Sequence, residues 1–155
     1  MSDLQTTINA SIRDGVARAV ASVGLAGIGV IHLLDAPSKF SETPYMGWMY
    51  IGLIAASLIT AFALVRGSDR RAWAAAAGLA ASALIGFTLS RTTGLPQATG
   101  DIGNWSEPLG MASLFVEGAV VAISAAALAE PRHDVERALA ARAAEPARSR
   151  SSMAA

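Results

Sequence analysis

Cysteine is missing from the 155 residues altogether, which excludes disulfides, iron–sulfur clusters, thiolate metal sites and covalent haem attachment. Charge is sparse, at 15% of residues, and histidine occurs only twice, at His32 and His133. No H-E-x-x-H pair, phosphate-cradling glycine loop or cofactor fingerprint occurs, so no reaction is written in a motif. The size and this poverty of charge leave no room for a large water-facing catalytic domain.

What the chain has instead is long runs without charge. Residues 43–65 and 72–90 carry no Asp, Glu, Lys or Arg, and neither do residues 19–34, which reach spanning length by borrowing 15–18. Residues 108–129 carry a single charge, Glu117. About 20 apolar residues at 1.5 Å each cross a hydrocarbon core. The expected fold class is therefore all-α, an integral membrane four-helix bundle with spans at about 16–34, 46–65, 72–90 and 108–129. Residues 1–15 are expected to form a cytoplasmic or interfacial segment, since Leu4, Ile8, Ile12 and Val16 recur every four residues. Residues 131–155, rich in Ala, Arg and Glu, are expected to be a partly disordered cytoplasmic tail.

The formal net charge of zero hides a sided distribution. Arg13, Arg18, Arg66, Arg70, Arg71 and five tail arginines fall on one side of the predicted spans, against Lys39 and Arg91 on the other. The positive-inside rule then puts both termini and the 66–71 loop in the cytoplasm of a plasma-membrane protein. Pro37 and Pro44 are expected to break the chain after the first span, and Pro108 to open the last, capped by Glu107 or Ser106. Tyr45, Trp48, Tyr50 and Trp105 mark an outer aromatic belt, and Trp73 the inner edge of the third span. Gly78, Ser82 and Gly86, four apart on that Ala-rich span, predict a small-residue packing face, against neighbours in the same bundle or in another subunit.

Glu117 is the most informative residue. An ionisable group at membrane depth costs at least about 2.5–3.5 kcal/mol, so it faces a partner, a cavity or a pathway. Gly110, Ser113, Glu117 and Ser124 share one helical face, and Gly24, Ile28, Gly29 and His32 share another on the first span. Side chains lean toward the N-terminus of their own helix. With the two helices running oppositely, His32 leans inward and Glu117 outward, and the two converge. Three roles suit such a pair. It fixes helix register as a buried polar contact. With Asp35 and Glu107 it supplies donors for a divalent metal or copper, copper(I) being served also by the methionines Met46, Met49 and Met111. Or it handles protons. His133 falls on the cytoplasmic side, so two histidines of one chain do not clamp a haem.

The 91–110 segment is dense in turn formers, at Gly94-Leu95-Pro96, Gly100-Asp101 and Gly103-Asn104. Asp101, Asn104 and Glu107 there serve turns and a cap, or a divalent cation or polar head group. The pattern His32-x-x-Asp35-x-Pro37-x-Lys39-Phe40, Glu42-x-Pro44-Tyr45, Gly94-Leu95-Pro96, Glu107-Pro108-Leu109-Gly110 and Glu117 resembles uncharacterised small four-helix integral membrane proteins of actinomycete-type bacteria. The resemblance covers about residues 29–118 and implies fold and topology, with no activity or cofactor.

Two function classes follow. The first is a non-catalytic accessory or scaffolding subunit of a membrane assembly, docking other membrane subunits or its own copies, with no nucleic acid as partner. The second is a metal-binding or proton-handling bundle built on His32 and Glu117. An enzyme using the pair as acid and base ranks behind both.

Overall fold

A computed structural model describes residues 2–130; the predicted tail at 131–155, with His133, lies outside them. Four helices follow one another: α1 (Ser2–Glu42), α2 (Pro44–Arg66), α3 (Arg70–Thr92) and α4 (Pro108–Ala129). All four are long and apolar enough to cross a membrane. They alternate in direction. Arg13 pairs with Glu130 at 2.8 Å and Ser68 donates to Asp14 at 2.8 Å at one end. Lys39 meets Asp101 at 3.2 Å and Tyr45 donates to the Pro96 carbonyl at 2.6 Å at the other.

The first helix differs from expectation at both ends. It is one continuous helix of 41 residues, with no separate segment at 1–15, and it runs through Pro37. Proline removes a donor and crowds the preceding turn. Here the helix carries it, with the hydroxyls of Ser38 and Ser41 donating to the carbonyls of Asp35 and Ser38 at 2.8 and 2.7 Å. The break comes from Pro44 instead. Proline disfavours the helical region for the residue before it, and Thr43 stands at φ −149°, ψ 86°. The consequence for function is direct, because the added turns carry Asp35 and Lys39 into the bundle.

Packing is tight along one side. Ala21, Leu25 and Ile28 of α1, Leu64 of α2, Trp73, Ala76 and Ala80 of α3 and Val120 of α4 are buried together. A Cβ on Gly24 would stand 2.5 Å from Val120, so glycine lets α1 and α4 approach there. Gly29, expected on the same face, looks instead at Ile54 and Leu58 of α2. Of the two packings open to the Gly78, Ser82, Gly86 face, the one inside this bundle is not seen. No neighbour lies within 4 Å of a Cβ at Gly78 or Gly86, and Ser82 is exposed. α3 packs through its alanines, because these flank Trp73, the one bulky buried side chain it offers to the core. Elsewhere the exterior is apolar: Phe115 is 80% exposed, Val23 73% and Ile59 69%.

Candidate functional site

Glu117 is fully buried. Ser113, one turn earlier on α4, donates to its Oε1, and Nε2 of His32 stands 4.0 Å from the same oxygen. The predicted convergence of α1 and α4 is thus present. The tautomer follows from the other ring nitrogen. Nδ1 lies 2.9 Å from the Ile28 carbonyl oxygen, and a carbonyl only accepts, so Nδ1 carries hydrogen. Nε2 therefore faces the Glu117 carboxyl at 4.0 Å, beyond direct hydrogen-bond reach. Oε2 of Glu117 is buried with no hydrogen-bond partner among the described residues.

His32 also lines a cavity of about 360 Å³, within the range of small-molecule sites. Its ring meets Tyr50 edge-on, at 4.7 Å between centroids. Tyr50 donates to Asp35 Oδ2 at 3.2 Å, and Ser38 donates to Oδ1 at 2.7 Å. The 93–107 segment roofs the cavity with Leu95 and Asp101, while Ser113 and Gly110 of α4 close the side opposite α2. The mouth opens between α2 and α3, where Met49, Gly52 and Ser82 line the cavity and are exposed. Gly52 follows Pro44 by eight residues and Ser82 precedes Thr92 by ten. At 1.5 Å per residue the mouth lies about 12–15 Å below the helix ends.

Two residues to which the sequence assigned no site role prove central. Arg91, 5% exposed, pairs with Asp101 at 2.9 Å and with Glu107, and lies 4.8 Å over the Phe87 ring. Its carbonyl accepts from Gly103 at 2.9 Å. Lys39 holds Asp101 and Glu42, each at 3.2 Å. Burial alone would raise the Asp101 carboxyl, but Lys39 and Arg91 outweigh it and hold the group below the usual carboxylate range. The clamp fastens the roof to α1 and α3. One signal for it was present: these are the lone basic residues on the side where Asp35, Glu42, Asp101 and Glu107 gather.

The four residues considered as metal donors therefore divide. His32 and Glu117 meet, Asp35 turns to Tyr50 and Ser38, and Glu107 turns to Arg91. Among the described residues no three His, Asp or Glu side chains form a set that could hold a metal ion. Glu107 opens α4 through its backbone, accepting from the Met111 amide at 2.9 Å, without a side-chain cap. Compared with protein-family models, curated proteins and solved structures, the chain matches none.

Proposed function

We propose that the chain is a multi-pass plasma-membrane protein, both termini cytoplasmic, that binds a small ligand in its outer half and exchanges a proton through His32 and Glu117. The observation that carries this is the buried pair itself: an imidazole and a carboxyl that face each other at 4.0 Å behind the wall of a roofed cavity. The apolar exterior supports insertion, and the ten-to-two bias of basic residues supports the orientation. Kinship with the small actinomycete-type membrane proteins would extend this account to their fold alone. A metal at the pair would find only one imidazole nitrogen and one carboxyl there, which favours protonic over metal chemistry.

The accessory-subunit role has one observation of its own. The uncovered Gly78 and Gly86 face of α3 suits close approach by another helix, from a second membrane subunit or another copy of this chain. A helix seated there would also close the cavity mouth, so the two roles are separable.

Native mass spectrometry of the full chain, extracted from its own membrane in mild detergent, tests both. A small-molecule adduct is expected on the wild type, with occupancy falling when Ser82→Trp blocks the mouth. A chain that emerges free of adduct and bound to other membrane proteins would replace the ligand-binding role with the subunit one.

A further inference from the structure

The charges around the cavity are unequally satisfied. Among the lining residues, Asp35, Asp101 and Glu107 face Lys39 and Arg91. Both cations are already held by two carboxylates each: Lys39 by Glu42 and Asp101, Arg91 by Asp101 and Glu107. Neither is free to receive a phosphate or carboxylate head group. Asp35 is in the opposite position. It accepts from Tyr50 and Ser38, and among the described residues no cation stands within ion-pairing distance of it. Lys39, one turn along α1, acts on Asp35 only at longer range and is itself held by Glu42 and Asp101. A carboxylate held in place by two hydroxyls, with no cation of its own in contact, is suited to a cation that arrives from outside.

The surroundings specify what kind. The Tyr50 ring stands beside Asp35, and Met46, Met49 and Phe87 line the same space. Aromatic faces next to a carboxylate recognise ammonium groups by cation–π attraction as well as by charge. Asp35 lies seven residues before the end of α1, so about 10 Å below it. The mouth lies deeper, and it opens sideways between α2 and α3. A ligand with its head at Asp35 would therefore lead its tail toward the bilayer interior.

We infer that the cavity takes an amphipathic ammonium compound, which enters from the outer leaflet between α2 and α3 and places its cationic head against Asp35 and Tyr50. This rests on the ligand-binding role proposed above and names the ligand class for it. The roof clamp contributes by keeping Lys39 and Arg91 occupied, which removes the repulsion they would otherwise exert.

Equilibrium binding to the full chain in lipid nanodiscs tests the inference, using hexyltrimethylammonium, hexanol and hexyl sulfate as probes. The ammonium compound is expected to bind at least about tenfold more tightly than the alcohol, and the sulfate not at all. Asp35→Asn should abolish the preference and Asp35→Glu should keep it, with thermal unfolding of each variant confirming a folded chain. An alcohol or sulfate that binds as tightly as the ammonium compound would overturn the inference. So would an ammonium preference that survives in folded Asp35→Asn. Failure of all three probes, with a native adduct still seen on the extracted protein, would overturn the ammonium class and leave the cavity as a binding site for another ligand.

Discussion

Glu117→Ala is expected to cost about 2–5 kcal/mol of stability, the range for truncating a fully buried side chain that leaves a cavity and an unpaired polar partner. The cost has three sources. His32 Nε2 loses the group it faces, the Ser113 hydroxyl loses its acceptor, and a cavity opens among fully buried neighbours. Glu107→Ala is the control. It leaves Arg91 still paired with Asp101 at 2.9 Å, so the guanidinium keeps a countercharge and the loss is smaller. Glu117→Gln should fall between the two, since an amide oxygen still accepts from Ser113 but carries no charge for the ring. Thermal unfolding of the three variants in mild detergent gives the order. Equal tolerance of Glu117→Ala and Glu107→Ala would show that the α4 carboxyl does not hold the bundle.

Arg91→Ala should have the largest effect on the roof. The substitution leaves Asp101 with Lys39 alone and Glu107 with no cation among the described residues, and it removes the group stacked over Phe87. Gly94 and Gly103 sit at positive φ, as glycine does readily, but Gln97 sits at φ 61° against its side chain's preference, so contacts must hold the segment there. Amide exchange across residues 93–107 is expected to accelerate about a hundredfold, with little change in the middle of α2. Lys39→Ala should accelerate it less, because Asp101 then keeps Arg91. Exchange unchanged in Arg91→Ala would mean that the turns alone hold the roof.

Where the helices lie was legible because charge-free runs of spanning length admit few other structures. Three of the four keep their predicted limits within two residues. The meeting of His32 and Glu117 was legible for a geometric reason: side chains lean toward the start of their own helix, so on antiparallel neighbours two residues at different depths approach one another. What escaped depends on rotation about the helix axes. Whether α3 turns its Gly78 face or its Ala76 face inward is decided by where Trp73 finds room, and sequence spacing contains both faces equally. Gly29 belongs to the same class, lying one residue too far round α1 to see α4. Pro37 escaped because a helix-breaking preference of about 3 kcal/mol is within reach of tertiary packing. Lys39, Arg91 and Tyr50 escaped because topology counting treats a charge as a label for a side and an aromatic ring as a label for a boundary. The Asp101 and Glu107 pairs of Lys39 and Arg91 form only once the 93–107 segment folds back over α1, and Tyr50 reaches Asp35 only once α2 packs against α1.

The proposed proton exchange requires that the His32 ring and the Glu117 carboxyl sense one another. Nitrogen-15 NMR of the His32 ring, in the full chain with labelled histidine, measures this most directly. The expected result is a protonated Nδ1 bonded to the Ile28 carbonyl and an Nε2 resonance that shifts when Glu117 is replaced by glutamine. A bare Nδ1 with a protonated Nε2 that ignores Glu117→Gln would contradict it.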